Sequence, residues 1–156
     1  MLICTNAHLI ADKRMRVVLD TNCLIMAISA RNEYHQVWQD FLDGRFVMCI
    51  TNEIIEEYSE VISRNISPLL SELVISTIIN RRNVIMKSPS YAFHLIKADE
   101  DDNKFVDCAI VSNAKYIVSN DRHFNELRDI PFPKVDVIKI NQFLQELQKE
   151  TENGCK

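Results

Sequence analysis

Four carboxylates, Asp20, Glu57, Asp102 and Asp121, stand at positions where the chain's strand and helix pattern can gather them. Asp20 closes the apolar run Arg16-Val17-Val18-Leu19, and an acid at the end of a buried strand is costly without a partner. Asp121 follows the short run Tyr116–Val118. Asp102 opens a helical pattern, and Glu57 lies within about two turns of the start of another. Acids meeting at one edge repel each other unless cations bind. A histidine-free oxygen cluster suits Mg²⁺ or Mn²⁺ rather than zinc. Such ions activate water and stabilise the oxygens of an in-line displacement at phosphorus, which is the chemistry of phosphodiester hydrolysis.

Each acid also has a plainer reading. Asp102 can cap its helix or complement its dipole. Glu57 can belong to a solvated helix face, and Asp121 in Ser-Asn-Asp can form an Asx turn. Helical phase, at about 100° per residue, separates the candidates from their neighbours. On the helix predicted over Asn52–Arg64, Glu57 lies roughly 100° from the apolar stripe's centre, whereas Glu53, Glu56 and Glu60 lie about 140–160° away. Asp102 falls within about 10° of the centre of Phe105, Val106, Ala109 and Ile110. Asp107 lies roughly 130° from that centre, which predicts a solvent-facing acid held in reserve.

The elements that must position these groups alternate. Strands are predicted at Arg16–Asp20, Phe46–Ile50, Val84–Met86, Tyr116–Val118 and Val135–Ile138. Helices are predicted at Thr21–Ile28, Tyr34–Leu42 with a stop near Gly44, and Asn52–Arg64. Others open at Pro68, running to about Arg82, and at Asp102, running to Asn113; a last one is capped by Asn141 and ends near Lys149. With no hairpin signal, the pattern predicts a three-layer α/β/α domain around a parallel sheet. In such a sheet, ligands bind beyond the carboxyl ends of the strands. Residues 15–150 form the domain, 1–14 an N-terminal arm with Met15 as an alternative start, and 151–156 a polar, frayed tail.

Composition excludes several rivals. The 156 residues include 2 glycines, Gly44 and Gly154, where about 7% of an ordinary chain would be glycine. Walker loops and dinucleotide fingerprints need several glycines and are excluded. With 22 acidic residues against 18 Lys plus Arg, the net charge of −4 argues against a protein that coats nucleic acid by bulk charge. The 5 cysteines, Cys4, Cys23, Cys49, Cys108 and Cys155, show no metal or disulfide spacing and fit reduced thiols of a cytoplasmic protein. Cys23 and Cys108 suit buried helix positions and lack a paired His, so nucleophilic catalysis is not expected of them. No apolar run is long enough to span a membrane. Trp38 is expected in the core with Phe41 and Leu42, and His123 on the surface. Arg122, Lys104 and Lys115 are candidates for phosphate contacts near the acids, while Arg81 and Arg82 match a helix C-terminus.

The chain resembles the PIN-domain ribonucleases, specifically the VapC-like branch of toxin components of toxin–antitoxin systems. The resemblance spans Met15 to about Glu150. It rests on Val-Val-Leu-Asp-Thr-Asn at 17–22, Thr-Asn-Glu-Ile-Ile-Glu-Glu-Tyr-Ser-Glu-Val-Ile at 51–62, Asp-Asp-Asn-Lys-Phe-Val-Asp-Cys-Ala at 101–109 and Ala-Lys-Tyr-Ile-Val-Ser-Asn-Asp at 114–121. The resemblance implies that Asp20, Glu57, Asp102 and Asp121 are the catalytic metal ligands, with Asn22 and Ser119 as supporting polar residues. Ser119 stands where the family usually has Thr and keeps the hydroxyl. In this branch Asp107 is often matched by an acid, against the helical-phase reading. The resemblance further implies a sheet of about five strands, Mg²⁺- or Mn²⁺-dependent RNA cleavage, homodimers and inhibition by a small antitoxin protein.

Two rival functions stand beside this one. A haloacid-dehalogenase-like phosphatase also begins with an acid at a strand end, but it needs a second Asp two residues on, where this chain has Asn22. The other rival is an RNA- or protein-binding module that keeps the fold without turnover.

Overall fold

A computed structural model describes residues 12–154. Five strands, β1 (Arg16–Leu19), β2 (Val47–Ile50), β3 (Val84–Met86), β4 (Tyr116–Val118) and β5 (Val137–Ile138), form one sheet in the order β3-β2-β1-β4-β5. Every pairing is parallel. The helices are α1 (Thr21–Ile28), α2 (His35–Leu42), α3 (Asn52–Asn65), α4 (Pro68–Asn80), α5 (Asn103–Val111) and α6 (Ile140–Gly154), with 3₁₀ segments at Glu100–Asp102 and Arg122–Asp129. The architecture is the expected three-layer α/β/α fold.

The central strand explains the fold. Val17, Val18 and Leu19 are all buried, which is why β1 reads as a continuous apolar run and not an alternating one. Burying side chains of this size contributes about 1.5–3 kcal/mol each. The order on either side of β1 makes it the switch point of the sheet, since the chain runs from β1 to β2 and β3 on one side and then crosses to β4 and β5. The crevice beyond the carboxyl ends of β1 and β4 is where such folds bind ligands.

Local signals set the helix ends. Thr51 caps α3 by accepting from Ile54 N at 3.2 Å, and Ser67 caps α4 by accepting from Leu70 N at 3.0 Å ahead of Pro68. Gly44, with φ +76°, follows the end of α2 in the left-handed conformation that favours glycine. Trp38 is half-buried against the core, with its ring centroid 5.3 Å from that of Phe41.

The last helix departs from expectation at both ends. Asn141 does not cap it, because α6 begins one residue earlier; Gln142 Oε1 instead accepts from Lys139 N at 3.0 Å, as the third residue of a capping box does. The helix also continues past Lys149 to Gly154. Thr151 in this last turn bonds Leu147 O at 3.1 Å and accepts from Arg45 Nη1 at 2.5 Å, which ties it to the body. Cys4, Cys155 and arm residues 1–11 lie outside the described residues. Arg14 pairs with Asp12 at 2.7 Å and donates to Gly44 O at 3.1 Å.

Candidate active site

The strand ends bring the first and fourth acids together. Asp20 occupies the N-cap position of α1 yet makes no side-chain cap hydrogen bond. Its carboxylate, 6% exposed, accepts instead from Ser119 Oγ at 2.7 Å. Ser119 lies just past β4, the neighbour of β1, and its oxygen accepts from Asp121 N at 3.0 Å. One buried hydroxyl thus orients Asp20 and fixes the turn that carries Asp121. Burial pushes the Asp20 pKa up, and the charges of Asp121 and Glu57 push the same way against the Ser119 hydrogen bond.

Glu57 arrives from α3. The adjacent Tyr58 is fully buried and donates its hydroxyl to Leu19 O, pinning that turn of α3 to the end of β1. Glu57 Oε2 accepts from Thr21 Oγ1, and Oε1 lies 2.7 Å from Lys104 Nζ. Glu53, Glu56 and Glu60 are exposed, in agreement with their helical phase, while Glu57 is half-buried. Lys104, expected as a phosphate contact, is committed to this ion pair.

Asp102 sits at the junction between the 3₁₀ turn and α5 and, like Asp20, makes no side-chain cap bond. Its Oδ2 lies 3.3 Å from His123 Nδ1, which is also 3.4 Å from Asp121 Oδ1. The Asp102 pKa is pushed up to about 6, first by burial and then by the charges of Asp99, Asp121 and Asp20, with His123 opposing. Asp121 does form the turn that its local sequence suggested, accepting from His123 N at 2.9 Å. It nevertheless faces the same cluster.

Among the described residues, donor atoms of Asp99, Asp102 and His123 all lie within 4.8 Å of one another, close enough for one ion. Asp20 and Asp121 lie near enough for their charges to raise the Asp102 pKa, and Glu57 acts in the same way on Asp20. The cluster is therefore not histidine-free. His123, expected on the surface, turns its ring between two acids because the Asp121 turn brings it back over the strand ends. Its place two residues after Asp121 was the available signal. Asp99 is hidden in sequence at the head of a continuous acidic run, and Thr21 was overshadowed by Asn22. Asn22 itself is exposed, and the hydroxyl that reaches Glu57 belongs to Thr21.

Two placements need correction. Asp107 is 9% exposed and not solvent-facing, because the loop after β3 folds over it and Phe93 N donates to its Oδ1 at 3.1 Å. Helical phase cannot anticipate a covering loop. Lys115 lies at the opposite, amino edge of the sheet, where its N–H bonds Arg16 O at 2.7 Å and its ammonium sits over Tyr116. Arg81 follows α4 and donates to Leu42 O, away from the acids. Cys23, Cys49 and Cys108 are free and buried, and burial pushes the thiols of Cys23 and Cys108 up to about 12, so neither is a ready nucleophile.

Solved structures share this fold at low sequence identity. VapBC2 from Rickettsia felis bound to a promoter DNA fragment is similar with a TM-score of 0.56 and 16% identity, over 80% of this chain and 98% of that one. DNA-bound VapBC from Salmonella typhimurium gives 0.55 and 21%, over 81% and 98%. The PIN domain of T. brucei RRP44 gives 0.51 and 11%, over 90% and 85%. No curated protein matches the chain in sequence. The PIN-domain family profile matches residues 16–123, a stretch that holds all four candidate acids together with Ser119 and His123, and the chain therefore belongs to the PIN-domain family.

Proposed function

We propose that this protein is a metal-dependent endoribonuclease and the toxin component of a toxin–antitoxin pair. The observation that carries the reading is the convergence of Asp20, Glu57, Asp102 and Asp121 on the switch-point crevice, where burial and mutual repulsion hold Asp20 and Asp102 above their ordinary pKa. Such a cluster fits a divalent cation: its donors are carboxylate oxygens with one imidazole nitrogen, a set that accepts Mg²⁺ and suits Mn²⁺. Asp102 would be the common ligand, with donor atoms of Asp99 and His123 within 4.8 Å of its own, Asp20 and Asp121 beside them and Glu57 at the margin. When bound, it supplies an activated water and charge stabilisation for displacement at phosphorus.

The chain's own residues do the rest. Ser119 fixes one oxygen of the Asp20 carboxylate through its hydroxyl. Thr21 and Lys104 hold both oxygens of Glu57, which keeps that side chain in a single orientation. Arg122, Arg128 and Lys139 line a cleft of 460 Å³ that also includes Asp121, and they offer positive charge to an RNA backbone despite the net −4.

The partner assignment draws support from α4, which presents Leu69, Leu73 and Ile79 at 67%, 58% and 52% exposure. Exposed apolar side chains of this size suit a protein partner, either the antitoxin or a second copy in a homodimer. No helix among the described residues is long and apolar enough to cross a membrane. The free buried thiols suit a reducing compartment such as the cytoplasm. Incubating the purified protein with RNA and Mn²⁺ or Mg²⁺ tests the reading, with metal-independent RNA binding and no cleavage as the result that would replace it.

A further inference from the structure

The acid cluster does not use every group at its edge of the sheet. Beside it, a cavity of 430 Å³ lies between the first turn of α3 and the loop that follows β3. Lys104 joins the two places, because its ammonium pairs with Glu57 and its side chain lines the cavity. A polynucleotide with one phosphate at the acids would therefore bring a neighbouring nucleotide to the cavity.

The walls combine an aromatic face with hydrogen-bond acceptors. Tyr91 is 67% exposed, and Phe93 holds its ring in an edge-on contact with centroids 4.8 Å apart. Phe93 is in turn anchored through its N–H to Asp107 Oδ1. Asp107 is nine-tenths buried as a residue and lines the cavity, and its second oxygen, which stays open to solvent, has no hydrogen-bond partner among the described residues. Asn52, Glu53 and Lys87 are also among the polar residues of the lining. A carboxylate held in such a place is a poor neighbour for a phosphate and a good acceptor for N–H donors.

We propose that this cavity is a guanine-reading subsite for single-stranded RNA, in which the base stacks on Tyr91 and donates to Asp107; the proposal rests on the ribonuclease reading above. Guanine is the RNA base whose Watson–Crick edge presents two adjacent N–H donors, N1–H and the N2 amino group. A carboxylate accepts both at once. Adenine and cytosine turn a ring-nitrogen lone pair toward the same acid, and uracil turns its carbonyl oxygens. An acceptor that the bound base shuts off from water and leaves unmatched is what makes such a site discriminate. Lys87, also on the lining, would donate to O6. Sequence tolerance elsewhere along the strand follows from stacking on exposed rings, which every base can do.

The test uses short oligouridylates carrying one guanosine, inosine or adenosine. Binding is read by fluorescence anisotropy with the Asp20→Asn protein and cleavage with the parent protein and Mn²⁺. The guanosine oligomer should bind about tenfold tighter than the others, inosine failing because it lacks the N2 amino group. Asp107→Asn should erase the preference, and Tyr91→Ala, on an exposed loop where folding is not at risk, should weaken guanosine binding while Tyr91→Phe restores it. Equal affinity for all three oligomers overturns the proposal. Cleavage of all three at equal rates also overturns it, while leaving the ribonuclease reading intact. A guanosine preference in binding with no RNA cleaved leaves the subsite standing and sinks the ribonuclease reading instead. If Asp107→Asn slows cleavage equally for every sequence, Asp107 serves the reaction and not base reading, which again overturns the proposal.

Discussion

Ser119 donates its hydroxyl to Asp20 Oδ2 across 2.7 Å while accepting from Asp121 N at 3.0 Å, so one side chain at the end of β4 governs acids on two strands. Ser119→Ala removes both bonds. Cleavage should fall roughly 10- to 100-fold, as it does when other supports of metal ligands are removed, and Ser119→Thr should keep most activity. A Ser119→Ala rate equal to the parent's contradicts the positioning role.

The acids also make the metal-free protein sensitive to pH. Asp102 has its folded pKa pushed up to about 6 from the ordinary 3.8. A carboxyl raised on folding binds protons more tightly in the folded state. Stability should therefore be greatest below the unfolded value and decline as pH rises through about 6. Melting curves in EDTA between pH 4 and 7 should show this loss, and Asp102→Asn should flatten it. Added Mg²⁺ or Mn²⁺ should restore stability most at the upper end of that range.

Lys104 competes with any cation for Glu57, holding Oε1 at 2.7 Å. Lys104→Gln should tighten Mn²⁺ binding several-fold in calorimetry while lowering metal-free stability by about 1 kcal/mol. Weaker Mn²⁺ binding in the variant would mean that the ammonium orients Glu57 more than it competes.

Arg122 and Arg128 share the cleft beside Asp121. Replacing both with Ala should weaken RNA binding uniformly across sequences. It should also reduce the salt slope by about 0.7 for each phosphate of a single strand that is no longer neutralised. Lys115→Ala, at the opposite edge of the sheet, should leave both quantities unchanged.

Much of this arrangement is legible in the residues. The β-branched run before Asp20 and the run before Asp121 locate neighbouring strands, because buried parallel strands announce themselves as continuous apolar stretches. Phase on α3 separates Glu57 from three exposed acids because that helix stays regular from its Thr51 cap. The same reasoning fails at Asp107, where burial comes from a loop rather than from the helix's own stripe. Lys115 is misleading because it stands near the acids in sequence but at the start of its strand, on the far side of the sheet. Asp99 escapes notice and His123 is read as a surface residue for a related reason: their approach to Asp102 depends on turns whose direction no periodicity encodes. At the chain's end, Thr151 extends α6 through a contact with Arg45 that is remote in sequence.

RNA hydrolysis at this site would depend on a divalent ion held by the converging acids, and Asp20 is the most buried of them. Asp20→Asn keeps the shape and an acceptor for Ser119 while removing the charge. Cleavage of a defined RNA with Mn²⁺ should be seen for the parent, abolished by EDTA and lost in Asp20→Asn. In the same variant the Mn²⁺-induced rise in Tm should shrink. Equal cleavage by parent and variant, or cleavage that persists in EDTA, would contradict a metal-dependent site built on these acids.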